Sequence, residues 1–128
     1  MPIRVVRLGS PRLPGEGLRL GTVRRPPRGV RKEDLAARDF YDVWLPELAP
    51  SEALLKVGQA AEDDASWRRF ARRYRAEMKA PEKVRLLDLL AALSRQTSIS
   101  VGCYCADPRR CHRSVLRELL EARGARLA

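Results

Sequence analysis

The chain has 128 residues, 45% of them hydrophobic, and a formal net charge of +10. This length is typical of one domain with a real hydrophobic core, and the apolar content excludes a generally disordered chain. No apolar run approaches the ~20 residues of a membrane-spanning helix, and the N-terminus lacks the long apolar stretch of a secretory signal. We therefore expect a single domain over residues 1–128, with no membrane partner and a cytoplasmic location.

The charge is unevenly spread along the chain. Residues 1–35 contain nine basic and three acidic groups, residues 36–66 contain two and seven, and residues 67–128 contain fifteen and six. Two basic blocks around an acidic middle attract phosphates, whether these belong to nucleic acid or to a small ligand. A solvated arginine-rich surface without any ligand gives the same composition.

The first third of the chain predicts two strands and several irregular segments. Residues 3–8 and residues 18–23 have strand composition and are separated by a loop rich in Gly and Pro. Two prolines make residues 24–29 an arginine-bearing loop, because proline removes a backbone donor and fixes φ. Residues 31–38 predict a short helix, and residues 40–45 an extended segment.

Three helices are predicted next. Ser51 is placed to cap the first, over residues 52–57, and Asp63 or Asp64 to cap the second. The second has an apolar face at helical spacing, which we interpret as core and not as a base-stacking platform; it consists of Trp67, Phe70, Ala71, Tyr74 and Met78. Pro81 fits the first turn of the third helix, whose inward positions are Val84, Leu87, Leu90 and Ala91.

The C-terminal part predicts a β-α unit. Residues 99–103 alternate as a strand, and a helix follows that begins near Cys111 and ends before Gly124. The buried positions of that helix are predicted to be Val115, Leu116, Leu119 and Leu120. Residues 125–128 predict a last, short strand. The expected fold class is α/β, a single compact domain with a small, partly parallel sheet flanked by helices.

The segment from Cys103 to Arg113 is the one chemically distinctive stretch, because it contains all three cysteines and the only histidine. It lies where a strand's carboxyl end meets the next helix, which is where open α/β sheets bind ligands. The helix N-terminus and the nearby arginines favour an anion. An odd number of closely spaced cysteines argues against a disulfide framework, so we expect reduced thiols.

Four interpretations of this segment stay open. Cys111 or Cys103 is a nucleophile, and Cys103 has Arg109 six positions later, the spacing of a phosphatase loop. Alternatively, zinc is bound by Cys103, Cys105, Cys111 and His112, although this spacing is more compressed than in usual zinc sites. A third interpretation is a phosphate site without reaction, and the fourth is local packing of small side chains.

Among the three thiols, Cys111 is predicted to be the most reactive. A residue in the first turn of a helix lies at the positive end of the macrodipole, and Arg110 and Arg113 are close in sequence. Cys103 ends an apolar strand, where burial would hide it. Cys105 lies in the loop, without the field of the helix.

Three motifs resemble the domain-of-unknown-function 488 family and occur in the family's order. Its C-terminal signature, Cys-x-Cys/Glu-x-Asp-Pro-x-x-Cys-His-Arg, is matched by Cys103, Cys105, Asp107, Pro108, Cys111, His112 and Arg113. A pattern similar to the YeaO-like branch is formed by Arg24, Pro27-Arg28-Gly29 and Arg31-Lys32-Glu33-Asp34-Leu35, and residues 44–51 resemble the middle motif. Val23, Pro26 and Cys105 replace a common acidic residue, tryptophan and glutamate. The resemblance implies a compact α/β domain and brings no established activity.

Two of these motifs contribute arginines, which we expect to surround one phosphate group together with the N-terminus of the last helix. The expected ligand is a phosphate-bearing nucleotide or nucleic acid. The candidate anion ligands are Arg24, Arg28, Arg109 and Arg113, and the candidate catalytic residues are Cys111 and His112. The alternatives are a nucleic-acid-binding module without catalysis and a zinc-stabilised interaction domain.

Overall fold

A computed structural model describes residues 2–105, 107 and 110–128. The strands are β1 (Ile3–Arg7), β2 (Leu18–Gly21), β3 (Val43–Trp44) and β4 (Ile99–Cys103). The helices are α1 (Glu52–Gln59), α2 (Asp64–Glu77), α3 (Pro81–Leu93) and α4 (His112–Ala122). None of the helices in this described part of the chain is both long and apolar enough to cross a bilayer.

The four strands form one sheet in the order β1-β4-β2-β3. All three strand pairings are parallel, and Val101 in the middle of β4 is paired with Val5 on one side and with Leu20 on the other. Beyond β1, Leu127 adds a parallel bridge to Ile3, which is what remains of the predicted last strand. The predicted α/β class is confirmed.

One face of the sheet is covered by the helices. Side chains alternate along β4, so Ile99 and Val101 point to the same face, and both belong to the main core cluster. Helix α4 packs directly on β1 and β4, and α2 and α3 pack on α4. Phe70 and Tyr74 of α2 are buried in this core, and the Trp67 ring stacks on Phe70 at a centroid distance of 4.9 Å. The aromatic face of α2 is therefore core, as predicted.

The opposite face carries a buried charge pair. Arg19 of β2 is 1% exposed and donates to both carboxylate oxygens of Glu16, which is 2% exposed, at 2.9 and 3.1 Å. Its other terminal nitrogen donates to the backbone oxygens of Ser10 and Asp39, and Ser100 Oγ donates to Glu16 at 2.9 Å. Burial alone would raise the pKa of Glu16, but the hydrogen bonds from Arg19 and Ser100 outweigh it and lower that pKa.

The predicted helix starts are accurate and one predicted helix is wrong. Ser51 Oγ accepts from Leu54 N at 3.3 Å, and Asp63 accepts from Ser66 N at 2.7 Å, so both predicted caps are present. Helix α1 extends two residues past its predicted end. In the segment 31–38 only a 3₁₀ turn forms, Lys32–Asp34, and the chain after it buries Leu35 in the second hydrophobic cluster.

Candidate functional site

The sheet has a topological switch point between its two central strands. After β2 the chain runs to β3 on one side, whereas after β4 it returns through α4 to Leu127 on the other side, beyond β1. Where adjacent parallel strands send their connections in opposite directions, a crevice opens outside their carboxyl ends, and ligands of open α/β sheets bind there.

A pocket of about 610 Å³ occupies that crevice. Its walls come from the segment after β2, from α1 along its length and from the end of β4. The lining residues are Val23, Arg24, Arg25, Pro26, Pro27, Arg28, Pro50, Glu52, Leu55, Lys56, Gln59, Cys103, Tyr104, Cys105 and His112. The volume falls within the range of small-molecule sites. Four of these residues are basic and one is acidic, so the pocket favours an anion.

His112 forms part of the floor of the pocket. Its Nε2 lies 2.7 Å from the backbone oxygen of Thr22, which directly follows β2. A carbonyl oxygen can only accept, so Nε2 carries the proton and Nδ1 offers a lone pair. Nδ1 lies 3.9 Å from Cys111 Sγ. Burial, only partly offset by the hydrogen bond to Thr22, lowers the pKa of His112 to about 4, and the imidazole is therefore neutral at physiological pH.

The cysteines fall into a buried pair and one exposed thiol. Cys103 ends β4, Cys111 is the N-cap of α4, and the two are 1% and 2% exposed. Their sulfurs are joined as a disulfide, with the Cα atoms 7.6 Å apart, while Cys105 is free and exposed. The expectation of three reduced thiols is thus wrong for this structure, because the strand end and the helix start bring Cys103 and Cys111 together. Partial desolvation of its sulfur raises the pKa of the Cys105 thiol, while the charges of Arg113 and Arg7 act in the opposite direction.

The arginines expected around the ligand are divided between pocket and interior. Arg24 and Arg28 both line the pocket, together with Cys103, Cys105 and His112. Arg24 is engaged, since it donates to the backbone oxygens of Pro46, Ala49 and Pro50 at 2.9 to 3.1 Å. Arg28 is exposed and makes no ion pair within the described residues.

Arg113 does not line the pocket. It is 5% exposed, and its Nε has no hydrogen-bond partner among the residues that the structure describes. Burial lowers the pKa of Arg113, while the charges of Cys105 and Asp107 act in the opposite direction. Arg109 lies outside the described residues. Arg110 contacts the acidic part of the chain, residues 36–66, because it donates to Asp64 at 2.7 Å.

Sequence reasoning missed Lys56 and Tyr104 as pocket residues. Lys56 lies on the exposed face of α1, where a lysine looks like any solvated residue, and only the packing of α1 beside the end of β4 brings it to the pocket. Tyr104 is anchored by donating from its hydroxyl to the backbone oxygen of Arg25 at 2.8 Å. No local sequence pattern indicates that residues 25, 56 and 104 lie close together in the folded chain.

A scan against family models matches residues 3–124 to a model described as the active DUF488-N3 subclade. The chain belongs to the DUF488 family. The match spans nearly all of this DUF488 domain, including every strand and helix and both segments that line the pocket. The more specific YeaO-like assignment remains a prediction. Searches of the curated proteins and of the solved structures give no match.

Proposed function

We propose that this DUF488 domain binds a phosphate-bearing nucleotide in the pocket at the carboxyl ends of β2 and β4. The observation that carries the proposal is a pair of cations, Arg28 and Lys56, that line the pocket and make no ion pair within the described residues. Charged groups lining an enclosed crevice attract an oppositely charged ligand more strongly than isolated surface charges do. Phosphate is the anion whose geometry an arginine matches through paired donors.

The rest of the lining suits the apolar part of a nucleotide. Pro26, Pro27, Pro50 and Leu55 provide a largely apolar wall, and the Tyr104 ring is half-buried beside them. An aromatic ring offers a stacking surface to a nucleobase. A pocket with one apolar wall and cations at its mouth fits a small molecule with a flat ring and a phosphate better than it fits inorganic phosphate alone.

Arg24 receives a different role from the one that its motif suggests. Three carbonyl acceptors from residues 46–50 hold its guanidinium, so Arg24 fixes that segment against the loop after β2 and shapes the pocket wall. Arg25 is also partly engaged, in an exposed ion pair with Glu52 at 2.9 Å. Direct contact with the phosphate is therefore assigned to Arg28 and Lys56.

Catalysis is supported by the groups at the floor of the pocket. His112 is a neutral base whose Nδ1 faces Cys111 Sγ, and both Cys103 and His112 line the pocket itself. The matching subclade is described as active, which is consistent with a chemical role for these side chains. We retain Cys111 and His112 as the candidate catalytic residues, acting in a reducing compartment such as the cytoplasm, where Cys111 would not be held in a disulfide.

Calorimetric titration of the reduced protein with nucleosides and their mono- and diphosphates tests the binding proposal. We expect the phosphorylated forms to bind at least about tenfold more tightly than the nucleoside, because only they use the cations. Arg28→Glu and Lys56→Glu should each weaken binding by about tenfold or more, whereas Arg68→Glu, the same charge change on the exposed face of α2, should not.

Two outcomes would contradict this function. Equal affinities for nucleoside and nucleotide would remove the role of the cations. Tight binding of oligonucleotides that is lost in Arg68→Glu but kept in Arg28→Glu would instead indicate a nucleic-acid-binding module that uses the arginine face of α2, and such binding would weaken steeply with added salt.

A further inference from the structure

We propose that the reduced protein has a metal site next to the nucleotide pocket. There, Cys103, Cys111 and His112 would bind one Zn²⁺ or a chemically similar cation. One ligand atom of each residue lies within 4.8 Å of the other two. All three residues are buried, at 1%, 2% and 6% exposure. Two sulfurs and one imidazole nitrogen form a donor set that selects soft or borderline cations such as Zn²⁺ over Mg²⁺ or Ca²⁺.

Once the bond between Cys103 and Cys111 is reduced, the donor atoms can reach the spacing required by one tetrahedral ion. With Zn–S near 2.3 Å and Zn–N near 2.0 Å, two ligand atoms on one zinc lie about 3.5 to 3.8 Å apart. Nδ1 of His112 is 3.9 Å from Cys111 Sγ. The Cα atoms of Cys103 and Cys111 are 7.6 Å apart, so after reduction both side chains can converge on one shared ion.

The orientation of His112 is already that of a metal ligand. Metal-binding histidines commonly donate from the second ring nitrogen to a backbone carbonyl or carboxylate, which fixes the tautomer and the ring plane. Here Nε2 donates to the backbone oxygen of Thr22 at 2.7 Å, and the Tyr74 ring packs edge-on against the imidazole at 5.5 Å. The lone pair of Nδ1 is thereby left available on the side of Cys111 Sγ, which lies 3.9 Å away.

The fourth coordination position would open onto the pocket, because Cys103 and His112 both line it. Three protein ligands with one open position is the arrangement of catalytic zinc sites and not of closed structural ones. Binding converts two thiols to thiolates and releases two protons, and it requires the dithiol form of Cys103 and Cys111. Oxidation of the pair to the disulfide, by loss of two electrons and two protons to a cellular oxidant, would exclude the metal.

Anaerobic titration of the reduced, chelator-treated protein with Co²⁺, followed by displacement with Zn²⁺, tests the proposal. We expect one equivalent of Co²⁺ to bind with thiolate-to-cobalt charge-transfer and tetrahedral ligand-field absorption. Cys111→Ser should weaken Co²⁺ binding by more than about 100-fold. Loss of a residue that only hydrogen-bonds to a metal ligand costs about 10- to 100-fold, so loss of a ligand itself should cost more. Cys105→Ser is the matched control, since Cys105 is exposed and outside the cluster, and it should retain affinity within about threefold.

X-ray absorption on the zinc-loaded wild-type protein keeps the test independent of how the variants fold. Two sulfur ligands and one nitrogen ligand are expected. The proposal is overturned by absence of stoichiometric binding to the reduced protein, by fewer than two sulfur ligands, or by an equal loss of affinity in Cys105→Ser and Cys111→Ser. Nucleotide titration of the metal-free protein separates this site from the anion pocket, because Arg28 and Lys56 do not belong to the metal cluster.

Discussion

Nε2 of His112 donates to the backbone oxygen of Thr22 at 2.7 Å and so joins the first turn of α4 to the end of β2. Thr22 is itself tied to the neighbouring strand, since its Oγ1 donates to the backbone oxygen of Gly102 at 2.8 Å. The side chains of His112 and Thr22 together therefore link both central strands to α4. The floor of the pocket is held at a fixed distance from its walls, which a preorganised site requires.

Loss of this link should destabilise the domain. His112→Ala leaves the buried Thr22 carbonyl without its donor and creates a cavity beside Tyr74, so we expect the free energy of unfolding to fall by about 2–4 kcal/mol. Urea denaturation measures this change in the free energy of unfolding. Glu121→Ala, an exposed change on the same helix, should stay within about 0.5 kcal/mol of the wild type. Equal stability of the two variants would show that the hydrogen bond between His112 and Thr22 does not stabilise the fold.

The buried pair Glu16–Arg19 predicts a specific acid sensitivity. The pKa of Glu16 is lower in the folded chain than in the unfolded one, so its stabilising effect is present above about pH 4.5 and is lost as the pH falls through the folded value. Glu16→Gln leaves Arg19 buried without a counter-charge and should cost about 3–5 kcal/mol near neutral pH. Its stability should also fall less steeply with acid than that of the wild type, and parallel pH profiles in thermal unfolding would contradict this.

Alkylation should rank the thiols differently from the sequence-based prediction. Cys105 is exposed and free, whereas Cys103 and Cys111 are 1% and 2% exposed, so mass spectrometry should find Cys105 labelled first in the native, reduced protein. Bound nucleotide should slow this labelling, because Cys105 lines the pocket. Faster labelling of Cys111 would restore the activated-thiol hypothesis and would mean that α4 opens at its first turn.

Gly102 is required by the close approach of β1 and β4. A Cβ atom at this position would lie 2.4 Å from the backbone oxygen of Val6, and the backbone of a paired strand cannot move away easily. Gly102→Ala should cost about 2–3 kcal/mol through overpacking. Gly15→Ala is the comparison, since Gly15 has open space and only a positive φ of 74°, and it should cost about 1–2 kcal/mol. A cost for Gly102→Ala no larger than that for Gly15→Ala would contradict the steric explanation.

Structural features that depend on residues a few positions apart could be predicted from the sequence. The caps at Ser51 and Asp63, the apolar face of α2 and the alternation of β4 each depend on residues a few positions apart, and each is present. Features that depend on tertiary packing could not be predicted in this way. Arg19 occupies a polar position of an alternating strand and is nevertheless buried, because loops cover that face of the sheet and provide Glu16 as its partner.

The candidate site shows the same division. The C-terminal motif pointed to the correct edge of the sheet, because a strand followed by a helix places its junction there. Which arginine is free to bind a ligand in the pocket was not predictable, since Arg24 donates to carbonyls of residues 46–50 and Arg113 is buried. The pairing of Cys103 with Cys111 depends on the packing of α4 against β4 and not on their spacing along the chain.

The position of the ligand is tested most directly by following backbone amide resonances of the isotope-labelled, reduced protein during titration with a nucleoside diphosphate. We expect the largest shift changes at Arg28, Lys56, Tyr104 and Cys105, which line the pocket at the ends of β2 and β4. We expect little change along the exposed arginines of α2, at Arg68 and Arg72. Changes centred on α2, or none at millimolar nucleotide, would contradict the proposal that this pocket is a nucleotide site.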